Sequence, residues 1–184
     1  MIKYGVIASV PLFRLLADHR DLVLERRPET VDEIIRESVR IKAEVVSADE
    51  RESGIRRILN FGHTVGHALE AETSYARFLH GEAIAFGMRA ATILARDTGR
   101  LSFDECCACL SVLESYGPVP SLAGISAEAL HGRLISDKKT IKGKIHFVLP
   151  TEIGKVTVVS DLPEQAVRQA IQQAIQQAIQ QALQ

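Results

Sequence analysis

The chain has 184 residues, of which 46% are hydrophobic and 24% charged, and a formal net charge of −1. This is the size and balance of one well-buried globular domain or two small ones, and it gives no footing for a nucleic-acid or anionic-membrane partner. No apolar run approaches the roughly 20 residues of a membrane span, and the apolar start MIKYGVIASVPLF has no small-residue cleavage site, so a cytoplasmic protein is expected.

Most of the chain reads as helix. The run Thr30, Val31, Asp32, Glu33 is a capping-box pattern, and it predicts a helix start followed by an amphipathic pattern to about Val46. A charged stretch from Ser47 to Glu52 leads into a second predicted helix that continues to about Thr73. A third begins near His80 and runs to about Asp97, where Thr98 and Gly99 supply the stop. Ser102 is expected to cap a fourth, ending before Gly117 and Pro118, and Ser126 a short fifth. Cys106, Cys107 and Cys109 crowd into the fourth helix without the spacing or the second ligand pair of a zinc site, and read as small apolar residues.

Beyond the fifth helix the period changes. Positions 144–149 and 155–159 are rich in β-branched and aromatic residues, separated by Pro150 and Gly154, and predict a small hairpin. Positions 164–184 return to helix, with a near-perfect A-I-Q-Q repeat from Ala170 that sets Ile171, Ile175 and Ile179 on a slowly drifting stripe. Such a helix either drives oligomerisation or docks on its own domain. The repeat is too short for a sustained heptad seam, which favours docking. The expected organisation is a helical domain over 1–163 with a repetitive terminal helix over 164–184 packed on it.

The chemistry concentrates between Glu52 and Glu70. If the segment is one helix, Glu52, Arg56, Asn60, His63 and His67 fall within an arc of about 80°. Ile55, Ile58, Val65, Ala68 and Leu69 lie away from that arc. A solvated face would be filled with Lys, Glu and Gln, which favour helix; Asn and His do not. Gly62 and Gly66 each cost a helix about 1 kcal/mol relative to Ala, and would let another backbone or a ligand approach closely. A third histidine, His80, opens the next helix. Thr64 stands where a metalloprotease H-E-x-x-H motif needs Glu. Histidines from adjacent helices plus a carboxylate would hold a metal and leave positions open for substrate hydroxyls. No glycine-rich loop follows a strand and opens a helix, so no dinucleotide-binding site is expected in these residues.

Several runs together resemble the 3-dehydroquinate synthase family: KAEVV (42–46), DERESGIR (49–56), LNFGHTVGHALE (59–70), LHGEA (79–83), DKK (137–139) and VLP (148–150). The similarity runs in order from Ile2 to about Val159 and leaves out the A-I-Q-Q tail. It implies a mainly α, multi-helix C-terminal domain of the dehydroquinate synthase-like fold, with a small β-hairpin. It also implies a metal, zinc or cobalt, held by one Glu and two His, and conversion of 3-deoxy-arabino-heptulosonate 7-phosphate to 3-dehydroquinate, with NAD as a transient oxidant and loss of phosphate. Carried over by position, His63 and His80 would be metal ligands, and His67 and Glu52 would handle protons. Lys3, Lys42, Arg56, Asn60, Lys138 and Lys139 would hold the phosphate, carboxylate and hydroxyls of the sugar-phosphate substrate.

The resemblance departs at the front. The family's Glu ligand belongs to a Glu–Val–Ile–Lys–Tyr–Gly-like segment, and here that Glu would stand one residue before Met1. The NAD-binding half that precedes it in the family is absent from these residues. The chain alone is therefore expected not to complete the reaction, and its expected partners are a separate NAD-binding half or a second copy in a homodimer. Glu52 or Glu82 could replace the missing carboxylate only if the fold lets one reach. Two other readings stay open, a related sugar-phosphate cyclase and a non-catalytic helical domain that binds a partner.

Overall fold

The computed structural model describes residues 1–51, 54–117, 120–140 and 145–182, with the side chains of 137–140 outside that description. Three short helices open the chain: α1 (Ile2–Ala8), α2 (Val10–Asp18) and α3 (Arg20–Leu24). Between the first two, Ser9 is extended and its hydroxyl accepts from the Leu12 N–H at 3.3 Å, capping α2. The long helix α4 (Pro28–Ala48) starts at Pro28, ahead of the Thr30–Glu33 pattern. Proline is pre-set for the first helical position and lacks the N–H that would go unpaired there, so it decides the start.

The single helix expected up to Thr73 is not continuous. After α4, Ile55–Asn60 forms a 3₁₀ turn, Gly62 takes a left-handed backbone (φ +81°), and α5 (His63–Glu72) begins afresh. A left-handed residue cannot propagate a right-handed helix. Arg56 and Asn60 thus lie on the 3₁₀ turn, His63 and His67 on α5, and Glu52 outside the described residues.

The next helix, α6 (His80–Asp97), is the spine of the domain and is buried from Ala83 to Ala95. Phe86, Ile93 and Leu94 are wholly enclosed, each worth about 1.5–3 kcal/mol of burial. Around α6 pack α5, α7 (Phe103–Ser115) and the hairpin strand β1 (Phe147–Glu152). Ser102 caps α7 as expected, and Cys106 and Cys109 are buried while Cys107 is exposed. Ser126 accepts from the Ala129 N–H at the start of α8 (Ala127–Thr140), which at 14 residues is longer than the short helix expected.

β1 pairs antiparallel with β2 (Lys155–Val159), Phe147 opposite Val159. Pro150 lies inside β1, opposite Val156, rather than ending it. Both strands of a two-stranded hairpin are edges, where proline is tolerated. Lys144, expected in the first strand, falls outside the described residues. Hydrogen bonds tie the hairpin to the helices: Gly154 N–H donates to Val6 O at 2.9 Å, Ile153 N–H to a Glu105 carboxylate oxygen of α7 at 3.0 Å, and the Thr64 hydroxyl to His146 O at 2.8 Å.

The tail helix α9 (Glu164–Gln181) lies antiparallel along α6 and against α8. Ala170, Ala174 and Ala178 are buried with Ile171 and Ile175, whereas Ile179 is 41% exposed. A four-residue step drifts about 40° per repeat, so the third isoleucine has rotated off the contact. The second glutamine of each repeat faces α6. Gln173 accepts from Arg96 at 2.8 Å and donates to Asp97 at 3.1 Å, while Gln181 accepts from Arg89 at 2.7 Å. Arg89 is 2% exposed, and Glu114 of α7 balances its charge at 2.8 Å. Among the described residues no helix is long and apolar enough to cross a membrane.

One contact sets the distance between α5 and α6. A Cβ on Gly87 would lie 1.9 Å from Gly62 O and 2.7 Å from Gly66 N, so the two backbones touch. Gly87→Ala is therefore expected to cost about 3 kcal/mol or more, as overpacking of backbone against backbone, in urea unfolding. A second outcome is expected from the tail. Replacing Gln173, Gln177 and Gln181 together by Ala should lower stability by about 1–3 kcal/mol, because a buried guanidinium loses acceptors. The same change at the exposed Gln172, Gln176 and Gln180 should leave it within about 0.5 kcal/mol.

Candidate metal and substrate site

His63 is the first residue of α5, because Gly62 turns the chain immediately before it. His67 follows one turn later and Glu70 three residues further, so all three share a face of α5. After α5, Ser74 and Tyr75 both adopt left-handed backbone (φ 55° and 57°), and the Tyr75 N–H donates to Glu70 O at 2.8 Å. This reversal sends α6 back along α5 and starts it at His80, beside the other two imidazoles. Glu82 closes that start by accepting the Leu79 N–H at 2.8 Å.

The three imidazoles form a triangle. Ring centroids are 5.3 Å apart for His63 and His67, 5.6 Å for His63 and His80, and 6.0 Å for His67 and His80. One donor atom from each of His67, Glu70 and His80 lies within 4.8 Å of the others. The set of borderline nitrogen donors with one carboxylate suits a divalent ion such as zinc or cobalt. His63 Nδ1 lies 3.1 Å from Phe61 O. A carbonyl only accepts, so Nδ1 carries the proton and Nε2 keeps a free lone pair. Burial pushes the His63 pKa down to about 4; the Phe61 carbonyl opposes this, and Lys3, His67 and His80 add to it. His63 is thus neutral at neutral pH, the form that binds a metal.

Cations flank the triangle. Lys3, on α1, donates to Leu59 O at 2.8 Å and is held below its ordinary pKa by burial and then by the charge of Lys42 on α4. The pair comes from helices far apart in sequence, and its mutual repulsion is a field ready for an anion. Arg56 is engaged in its own loop: its guanidinium donates to Glu50 O at 2.8 Å and its N–H to Asp49. Asn60 ends the 3₁₀ turn, half-buried. Lys138 and Lys139 belong to the last turn of α8, and their side chains lie outside the described residues, as does Glu52.

On the α8 side, a cavity of about 700 Å³ is lined by Thr64, His67, Glu70, Tyr75, His80 and Arg133. Sequence reasoning missed four of these, Thr64, Glu70, Tyr75 and Arg133. For Glu70 a signal existed, since it stands at i+3 from His67, on the histidine face. Tyr75 and Arg133 reach the cavity through a chain reversal and a distant helix, and no local pattern announces them. Glu82, considered as a replacement carboxylate, is occupied as a cap; the carboxylate beside His80 is Glu70.

A family model described as 3-dehydroquinate synthase C-terminal matches residues 1–140. The chain belongs to that family. It is 61% identical over 167 residues to a 3-dehydroquinate synthase of Solibacter usitatus, covering 91% of this chain and 47% of that protein. With a 3-dehydroquinate synthase of Koribacter versatilis it shares 48% identity over 166 residues, covering 90% of this chain and 45% of that one. The chain thus spans about half the length of the curated relatives it matches. Among solved structures, a 2-epi-5-epi-valiolone synthase of Streptomyces hygroscopicus subsp. jinggangensis, with NAD+ and Zn2+ bound, superposes with a TM-score of 0.84 at 26% identity, over 96% of this chain and 49% of that one. A 2-deoxy-scyllo-inosose synthase shares the fold, with a TM-score of 0.68 at 23% identity, over 79% of this chain and 41% of that one.

The protonation of His63 can be read directly. In the metal-free chain an NMR titration should show one imidazole that stays neutral down to about pH 4. Because its pKa is lower folded than unfolded, the unfolded state binds more protons below about 6.5. The stability tied to His63 is full above that value and is lost as the pH falls towards about 4. A His63→Asn variant should flatten that part of the stability-pH curve.

Proposed function

We propose that this chain is the metal- and substrate-binding half of a 3-dehydroquinate synthase, the enzyme that turns 3-deoxy-arabino-heptulosonate 7-phosphate into 3-dehydroquinate with loss of phosphate. The observation that carries the reading is the triangle of His63, His67 and His80 at 5.3–6.0 Å, set between the Lys3 side and the α8 cavity. Identity of 61% to a named 3-dehydroquinate synthase supports the specific reaction.

In this reading His63 and His80 hold the metal through neutral imidazole nitrogens. A bound zinc or cobalt supplies Lewis acidity, acidifying a substrate hydroxyl and polarising the ketone. The nicotinamide, a transient hydride acceptor, is held by the rest of the protein. His67, exposed and one turn from His63, takes and returns a proton, a task worth about 10²–10⁴-fold in rate. Glu52 is assigned a second proton-handling role. Lys3 and Lys42, with Lys138 and Lys139, neutralise the phosphate and carboxylate, while Arg56 and Asn60 bind the remaining oxygens. A substrate with two anionic groups needs cations fixed before it arrives, and the half-buried Lys3 is fixed by its bond to Leu59 O.

A second reading has one observation in its favour: the fold is shared at a TM-score of 0.84 with a 2-epi-5-epi-valiolone synthase. A related cyclase acting on a sugar phosphate without a carboxylate would have less use for a second cationic group.

The test is 3-dehydroquinate formation by the chain alone and mixed with a separately expressed NAD-binding half that carries the family's Glu ligand. Activity is expected only in the mixture, with zinc or cobalt, and only with the carboxylate-bearing substrate. Turnover by the chain alone would overturn the half-enzyme reading, and preference for the carboxylate-free sugar phosphate would favour the second one. In the mixture, His63→Ala and His80→Ala should weaken metal binding by at least about 100-fold. His67→Ala should instead lower kcat by about 10²–10⁴-fold with metal affinity little changed.

A further inference from the structure

Glu70 lies at the back of the site, on α5, with only 7% of its surface exposed, while the His80 side chain in front of it is 62% exposed. Its Oε1 is 3.0 Å from His80 Nδ1. A buried carboxylate needs a donor, and the hydrogen bond to Nδ1 supplies one. The carboxylate only accepts, so the proton of the neutral ring resides on Nδ1, and the lone pair resides on Nε2.

We propose that Glu70 is the positioning residue of the metal site: its buried carboxylate locks the His80 ring and its tautomer, so that Nε2 is the ligand atom. The proposal rests on the metal reading above and adds a residue to it. Two other features agree with it. Glu70 is built into the scaffold twice, since its backbone carbonyl also accepts the Tyr75 N–H at 2.8 Å and the Thr73 hydroxyl at 3.2 Å. The turn that aims α6 and the carboxylate that aims His80 are therefore one unit. The second feature is symmetry of function: His63 is held through Nδ1 by the Phe61 carbonyl, so both ring nitrogens that face protein acceptors are Nδ1. Both imidazoles then offer the same atom, Nε2. A direct-ligand role for Glu70 is the competing arrangement, since its oxygen lies within 4.8 Å of donor atoms on His67 and His80. The Oε1 already engaged by His80 and the depth of the carboxylate favour positioning.

Two readouts on the 184-residue chain test this. Long-range nitrogen–proton NMR on the metal-free chain at mildly alkaline pH reports the tautomer of His80, and competition with a chromophoric chelator reports Zn2+ and Co2+ affinity. The expected wild-type state is Nδ1–H. Glu70→Ala should shift His80 towards Nε2–H and weaken metal binding by about 10–100-fold. Glu70→Gln, whose amide oxygen still accepts from Nδ1, should keep the tautomer and most of the affinity. An unchanged tautomer in Glu70→Ala would overturn the proposal. So would a loss in Glu70→Gln as large as that in His80→Ala, which would make Glu70 a ligand. Circular dichroism of Glu70→Gln controls for folding. A wild-type chain that binds neither metal would sink the metal reading, and the tautomer shift would still decide the role of Glu70.

Discussion

The contact of α5 with α6 through bare backbone governs the rest of the molecule. Gly87 sits against the carbonyl of Gly62, and Gly66 against Ala83, at distances that exclude any side chain between them. Only at that separation do the first residues of the two helices, His63 and His80, come within 5.6 Å. Residues that cost helix stability are retained there because approach matters more than propensity. Gly62 serves twice, since its left-handed backbone also ends the 3₁₀ turn and lets α5 begin at His63.

From that seam the other elements follow as supports. α6 is buried on nearly every side, so its charged Arg89 depends on neighbours: Glu114 and two tail glutamines engage its two terminal nitrogens, while its Nε is buried without a partner. A repetitive tail thereby acquires a register. Its buried alanines allow α9 to lie close, its isoleucines fill the contact until the four-residue step rotates them away, and its alternate glutamines meet the guanidiniums of α6. The hairpin packs on α6 as well and is pinned to α1, α7 and α5 by hydrogen bonds at Gly154, Ile153 and Thr64.

The candidate site combines a neutral imidazole, His63, with cations that repel one another. Burial keeps His63 uncharged while Lys3 and Lys42 remain close enough to depress the pKa of Lys3. The repulsion between the two lysines is a standing electrostatic cost of the site. The site is also open, with exposed His67 and His80 beside a broad cavity.

Much was legible without coordinates. Helical period, capping serines at Ser102 and Ser126, and the β-branched runs marked α6, α7, α8 and the hairpin, because those signals are local and act through the backbone within a turn or two. Membership of the family was equally legible, since the histidine and glycine runs are contiguous. What sequence alone misjudged was continuity: a period of 3.6 fitted from Glu52 to His67 placed five polar residues on one helix, whereas Gly62 divides the segment. It also missed Glu70 as the partner of His80, and Arg133 and Tyr75 as cavity walls. Those relations join residues whose approach depends on how α5, α6 and α8 pack. The sequence by itself determined the family and the local elements; the tertiary structure alone decided which of the candidate side chains meet, because their meeting depends on backbone contact at Gly62 and Gly87 that no local pattern encodes.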